Sequence, residues 1–217
     1  VTDNGSLTDT QTITITITDV NEVPTDISLN STSVNENESS GTTVGALSST
    51  DVDAGDSHTY TLVSGSGDTH NSSFNISSSN LQTAASFDFE SQSSYNIRIE
   101  TEDSGGLTYE EAITITITDV NDNPVVNAWG TLEYTENSNA TAIDNTITIS
   151  DQDDVQLSGA TATISSGFTT GDVLFLTGQN GISGSYDHST GVLTITGTAA
   201  AFEYRDALRT IVYHSFS

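Results

Sequence analysis

The 217-residue chain has no cysteine, methionine or lysine, and only two prolines. Without cysteine there are no disulfides and no thiolate metal sites of the zinc-finger kind, though this leaves the compartment open. Positive charge is almost absent. Three arginines (Arg98, Arg205, Arg209) face 30 Asp and Glu, giving a net charge of −27. Nothing in that balance can displace the counterions of a phosphate backbone, so nucleic acid is excluded as a partner. A basic membrane-surface patch is excluded on the same ground. No apolar run approaches the ~20 residues of a membrane span. Neither a leader pattern nor a methionine is present, so the chain is expected to be part of a longer protein. Hydrophobic residues make up 33% and aromatics 7%. That is sparse, but the apolar residues alternate regularly, which separates the chain from disordered sequences.

What is present is a repeat. Residues 1–24 (VTDNGSLTDTQTITITITDVNEVP) and 101–124 (TEDSGGLTYEEAITITITDVNDNP) are identical at 14 of 24 positions without a gap. The offset of 100 also aligns Asn35-Glu36-Asn37 with Thr135-Glu136-Asn137, and Asp51-Val52-Asp53 with Asp151-Gln152-Asp153. Three segments follow: the tail of one repeat (1–24), a complete repeat (25–124), and a third, divergent one (125–217) cut before its last strand. A repeat of that length buries roughly 65% of its unfolded surface. The tail is too short for a core and should be poorly ordered unless it pairs with a neighbour.

Within a repeat the pattern is all-β. Ile13, Ile15 and Ile17 alternate with threonines, as do Ile113, Ile115 and Ile117. Period two puts isoleucine on one face and threonine on the other, and both are β-branched. Similar runs occupy 59–63, 95–100, 146–149, 160–164, 173–176 and 192–196. Turn-forming clusters such as Ser64–Asp68 and Ser77–Asn80 separate them. Short strands at this spacing predict a two-sheet sandwich per repeat, with one helical turn near Glu203–Leu208. Tyr60, Phe74, Phe87, Phe89, Tyr95 and Tyr109 are read as core or rim, and Trp129, at a strand start, as core rather than as a glycan-stacking ring.

The acidic residues admit a plain reading as a solvated surface, but a subset is placed otherwise. Asp119, Asn121 and Asp122 precede Pro124 where one repeat meets the next, and Asp19, Asn21 and Glu22 precede Pro24 one repeat earlier. A β-branched strand running into oxygen donors and a φ-fixing proline ends at a polar site with a defined exit. Oxygen-only donors suit hard cations, and loops suit Ca²⁺ better than octahedral Mg²⁺. His58, His70, His188 and His214 are too scattered to make a softer metal site.

The repeat length, the sandwich pattern and DVNDNP at 119–124 resemble the cadherin repeat in its bacterial form. The likeness covers 1–124 and extends more weakly into 125–217. It is carried further by Asn35-Glu36-Asn37, Asp51-Val52-Asp53, Asp88-Phe89-Glu90 and Glu102-Asp103-Ser104-Gly105. The resemblance implies tandem Greek-key β-sandwich domains joined end to end, with up to three Ca²⁺ at each junction. For the junction after the complete repeat it implies Glu36, Asp88, Glu90, Asp119, the Val120 carbonyl, Asn121, Asp122, the Asn123 carbonyl, Asp151 and Asp153. For the preceding junction it implies Asp19, the Val20 carbonyl, Asn21, Glu22, Asp51, Asp53 and Asp103. Asp3 belongs to a junction upstream and Glu136 to one downstream. The further implication is a Ca²⁺-rigidified extracellular, cell-surface protein acting in adhesion, including binding between copies of itself. Its partners would be calcium, the neighbouring repeats, and other adhesin copies or a cell surface. Anchoring to a membrane, or secretion, would lie in parts of the chain not seen here.

Several positions depart from the family pattern. Glu22 and Val23 replace the usual Asp and Asn, and Gly55-Asp56-Ser57-His58 replaces the Asn-Gly turn that supplies a main-chain ligand. Residues 188–190 are His-Ser-Thr, where Asp-x-Glu is expected. The segment 181–216 resembles a divergent repeat of large bacterial surface adhesins. Seven carboxylates at the second junction, ~5 Å apart at an effective dielectric of ~20, would repel by ~3 kcal/mol per neighbouring pair. Cations are therefore expected to hold the junction together. No Gly-x-Ser-x-Gly elbow or histidine relay is present, so no catalytic residue is assigned. The competing reading is a spacer or glycan-binding module attached to a secreted enzyme.

Overall fold

The computed structural model describes residues 1–216. The chain divides into two compact units, Val1–Val120 and Asn121–Ser217. The strands of the first unit are β1 (Asp26–Leu29), β2 (Ser33–Asn35), β3 (Thr43–Thr50), β4 (Thr59–Leu62), β5 (Phe74–Ser77), β6 (Asn80–Thr83), β7 (Ser94–Glu102) and β8 (Thr108–Thr118). They form two four-stranded sheets, ordered β1-β3-β6-β5 and β2-β8-β7-β4. The chain changes sheets at every step from β1 to β5 and again between β6 and β7, which is a Greek-key sandwich. β2 runs parallel to β8, pairing Val34 with Ile117, while β7 and β8 form a long antiparallel ladder from Ser94↔Thr116 to Glu102↔Thr108.

The Ile–Thr alternation of β8 does what its period requires: Ile115 and Ile117 are fully buried and the intervening threonines are exposed. They meet Leu81, Ile97 and Ile99 in one core with Phe74 and Phe87. Each such side chain contributes about 1.5–3 kcal/mol when taken from water. Tyr95 closes one end, its ring 4.6 Å from Phe87 and 6.0 Å from Phe74.

The second unit contains β9 (Val125–Asn127), β10 (Thr141–Ala142), β11 (Thr148–Ser150), β12 (Gln156–Thr163), β13 (Asp172–Phe175), β14 (Ser183–Asp187), β15 (Val192–Ala200), α1 (Ala201–Leu208) and β16 (Val212–Ser215). Its sheets are smaller: β12-β15-β14, β10-β16-β13 and the pair β11-β9. The expected helical turn is a two-turn helix. It places Tyr204 and Ala207 in the core, and Glu203 accepts the Ala200 N–H at 3.0 Å. Two carboxylates serve this unit internally. Asp144 accepts the Gly130 N–H at 2.8 Å and the Thr146 N–H at 2.7 Å. Asp172 accepts the Tyr213 hydroxyl at 2.6 Å and the Thr169 N–H at 2.8 Å.

Two expectations fail. The run 13–18 is not a strand, and Ile13, Ile15 and Ile17 are 81–89% exposed. Of the corresponding residues in β8, between β2 and β7, Ile115 and Ile117 are buried and Ile113 is partly buried; alternation supplies a face but not the sheet to cover it. Trp129 is 73% exposed, not core. It sits past the short β9, which is paired only to β11 and offers no layer to receive the ring.

Candidate metal centre

Where β2 ends, Asn37 takes φ +60°, and the Glu36 N–H continues the parallel ladder to the Thr118 carbonyl at 3.1 Å. That turn sends the Glu36 side chain inward, where it is 2% exposed. One of its oxygens accepts the Val120 N–H and the other the Phe89 N–H, each at 2.8 Å. A single carboxylate thus ties the end of β8 to the loop before β7. Glu36, Glu90 and Asp119 each place one oxygen within 4.8 Å of the others. Asp88 lies outside this trio. The Ser91 hydroxyl (2.8 Å) and N–H (3.1 Å) cap it and hold its carboxyl below the usual range.

A second group forms in the first unit from Asp51, Asp56 and Asp103, again with oxygens within 4.8 Å of one another. Asp103 is buried and accepts the Leu107 N–H at 2.8 Å and the Asn21 amide at 3.0 Å. Burial pushes its carboxyl up, but these bonds and the Gly105 N–H outweigh that and bring it below the usual range. A Cβ at Gly105 would come within 2.4 Å of the Asn21 side chain, so glycine is what lets Asn21 reach Asp103. Asp51 accepts the Asp53 N–H at 3.0 Å and faces His58 at 3.3 Å. Asp53 accepts the Glu22 N–H at 2.8 Å. Desolvation, then the Asp53, Asp19 and Asp51 carboxylates, hold the Glu22 carboxyl above its usual range. Asp19, Asn21, Asp53, Asp56 and Ser104 line a cleft of about 280 Å³, while Val20 is largely exposed.

The second unit repeats the motif. Asp153 accepts the Asp122 N–H, Asp151 accepts the Asp153 N–H at 3.1 Å, and Gln152 donates to Asp122 at 3.1 Å. Asn121 donates to the Asp122 carbonyl at 2.8 Å. Asp122, Asn123 and Asp151 line a cleft of about 350 Å³. The donors assigned to the second junction therefore divide, Glu36 to Val120 falling in the first unit and Asn121 to Asp153 in the second. The two outlying assignments stand apart from these groups. Asp3 caps a small turn through the Gly5 and Leu7 N–H groups. Glu136 is exposed, beside Tyr134, Asp172 and Tyr213.

The chemistry of these groups fits a hard cation. Their donors are carboxylates and amides, apart from His58 at the margin. One oxygen of Asp56 and one of Asp153 are buried without a hydrogen-bond partner, an arrangement that is costly unless a positive charge meets it. The arginines are engaged elsewhere: Arg98 with Glu110, Arg205 with Asp206, Arg209 with the Ile147 carbonyl. Asp56 is the group member that sequence reading missed. The signal was a third carboxylate following a glycine in Asp51-Val52-Asp53-Ala54-Gly55-Asp56; Gly55 takes φ +92°, which folds the run back on itself.

Residues 30–118, which hold all of this sandwich but β1 and every member of the two carboxylate trios except Asp119, match the family model of the cadherin domain. These residues are a cadherin domain. Halomucin of Haloquadratum walsbyi is 28% identical over 126 residues, covering 55% of this chain and 1% of halomucin. The chain thus spans about a hundredth of that relative's length. Among solved structures, extracellular cadherin domains 1–5 of protocadherin gamma B2 align over 85% of this chain and 34% of that one, at 23% identity and a TM-score of 0.42. The human desmocollin-1 ectodomain aligns over 82% and 34%, at 23% identity and 0.42. A cadherin domain is an adhesion-type extracellular module and not an enzyme family. Among the described residues no helix is long and apolar enough to cross a membrane.

Proposed function

We propose that the chain is a run of cadherin repeats (1–24, 25–124 and 125–217) from an extracellular, cell-surface adhesion protein, and that calcium stiffens its junctions. The observation that carries this reading is Glu36: buried, with both oxygens held by main-chain N–H groups, and facing Glu90 and Asp119. A cadherin domain with such a pre-set acidic trio at the end of its last strand is prepared to share a cation with the residues that follow. Ca²⁺ would supply a compact double charge taking six to eight oxygen ligands.

In this reading Glu36, Glu90 and Asp119, joined by Asp88 and the Val120 carbonyl, hold one side of the second junction. Asn121, Asp122, the Asn123 carbonyl, Asp151 and Asp153 hold the other. Asp19, the Val20 carbonyl, Asn21, Glu22, Asp51, Asp53 and Asp103 serve the preceding junction; Asp3 and Glu136 serve neighbours of the two. The folded chain does the positioning through main-chain N–H groups, so few side chains must be ordered when the ion arrives. Binding only to the arranged state stabilises it by RT ln(1 + [L]/Kd), ~2.7 kcal/mol at a hundredfold excess over Kd. Adhesion, including binding between copies, is proposed on the cadherin match of residues 30–118 alone.

The test is to titrate CaCl₂ into the whole chain by calorimetry, with melting and small-angle scattering run in calcium and in excess EGTA. Calcium should raise the melting temperature and narrow the distribution of dimensions, and Asp122→Ala should weaken binding at the second junction while leaving both sandwiches folded. Identical melting and scattering curves in calcium and EGTA would refute the proposal.

A further inference from the structure

We infer that the sandwich is built to fold in concentrated salt: monovalent ions at molar strength, screening carboxylates that the chain leaves unneutralised, are a condition of its stability. The inference is independent of the calcium reading, since it concerns the bulk solution and not a bound ion. It starts from 30 Asp and Glu set against three arginines and no lysine. Those arginines are already committed. Arg98 holds Glu110 at 2.7 Å and reaches the Ser66 carbonyl at 3.1 Å. Arg205 holds its neighbour Asp206 at 2.7 Å, and Arg209 donates to the Ile147 carbonyl at 2.8 Å. So large an excess of one sign works against any compact state. The core that must outweigh it is small, eleven buried apolar residues in the first unit, and domains of this size are only marginally stable.

The ladder of β7 and β8 carries the same conflict inside the fold. Its register sets Glu100 directly opposite Glu110, both on the solvent side, with Glu102 two residues further along that side of β7. Glu110 has Arg98; among the described residues Glu100 has neither an arginine nor a hydrogen bond. Residues paired in this way stand about 4.5–5.5 Å apart at Cβ, and like charges there are destabilising. The screening length decides what relieves them. It is about 10 Å in 0.1 M salt, longer than that separation, and about 3 Å in 1 M salt, shorter than it. Dilute salt therefore leaves the pair repelling, and molar salt removes most of the repulsion. Glu100→Lys would relieve it at any ionic strength, yet no lysine occurs anywhere in the chain. The sequence thus leaves to the solution a task that side chains of opposite charge perform in an ordinary sheet.

The experiment is thermal unfolding of the whole chain, followed by circular dichroism at about pH 8, where histidine is neutral. NaCl and KCl are compared from about 0.05 M to about 2 M, with EGTA present throughout, so the outcome neither depends on the calcium reading nor decides it. Both salts should raise the melting temperature by at least about 10 °C over that range, and by equal amounts. Loss of the unfolding transition in dilute salt supports the inference equally. Glu100→Lys should melt about 2–6 °C above the unsubstituted chain in dilute salt and within about 1 °C of it in molar salt. Glu100→Gln, which removes the repulsion without adding attraction, should fall between the two in dilute salt. A melting temperature that moves less than about 3 °C between dilute and molar salt overturns the inference. So does a response to NaCl that KCl does not share, which marks a bound ion instead of screening. A gain from either Glu100 variant that persists undiminished in molar salt overturns it as well, because the effect is then not electrostatic.

Discussion

Replacing Glu36 by alanine tests whether the buried carboxylate anchors the end of the sandwich before any cation is present. Its two oxygens accept the Val120 and Phe89 N–H groups at 2.8 Å. Hydrogen bonds to a charged group contribute about 1.5–3 kcal/mol each, so losing both costs about 3–6 kcal/mol. Against this stands relief of repulsion from Glu90 and Asp119. Both are exposed, so at under 5 Å in a largely aqueous dielectric each is worth about 1 kcal/mol. The net cost in chelator is then about 1–4 kcal/mol, which lowers the melting temperature of a domain this size by roughly 5–25 °C. In calcium the relief disappears and a ligand is lost as well, so the deficit should widen. The assay is thermal unfolding of the variant and the unsubstituted chain in excess EGTA and in excess CaCl₂. A variant that melts within about 3 °C of the unsubstituted chain in EGTA, or above it, would refute the anchoring argument.

Two further predictions rest on different parts of the molecule. Ile115→Ala, at a fully buried site in β8, should cost about 2–5 kcal/mol, whereas Ile15→Ala, in the same local sequence but 81% exposed, should stay within about 0.5 kcal/mol; equal effects in urea unfolding would contradict the burial assigned to the tail. The Thr146 hydroxyl, then the Thr146 and Gly130 N–H groups, hold the Asp144 carboxyl below its usual range. Its contribution is therefore complete above the unfolded pKa near 3.9 and is lost as pH falls through the lower folded value. Unfolding monitored from pH 6 downward should show this loss below about pH 4 in the unsubstituted chain and a flatter profile in Asp144→Asn.

The extent to which the fold was legible follows from period and burial. The alternation at 113–118 and the run at 95–100 identified β8 and β7, because period two fixes both the element and its buried face. The same letters at 13–18 misled: residue order encodes a face, while a strand also needs partners, and these lie elsewhere in the chain. Trp129 failed for a related reason, since hydrophobicity predicts burial only where a neighbouring layer exists. At the site, Asp119 could be named from its place before Pro124, and Glu36 and Glu90 from the family resemblance, yet the grip of Glu36 on Val120 and Phe89 could not. It depends on the left-handed turn at Asn37 and on a loop 53 residues away. Asp56 escaped because its approach to Asp103 depends on a hydroxyl in a loop half a domain distant.

One feature of the tail bears on how such a protein folds. Residues 13–21 and 113–121 are the same nine letters, so over that stretch the slot between β2 and β7 cannot tell one from the other; the copies differ where β8 begins, Tyr109 and Glu111 standing where the tail has Asp9 and Gln11. They differ also in tether length: five residues join β7 to β8, whereas about 75 separate Thr18 from Ser94. By loop-closure entropy a roughly fifteenfold difference in span is worth about 2 kcal/mol. Near-copies placed in series are thus kept in order chiefly by proximity along the chain. Amide exchange protection appearing at 13–18 would reveal the wrong copy seated in the sheet, an error to which long arrays of such repeats are inherently open.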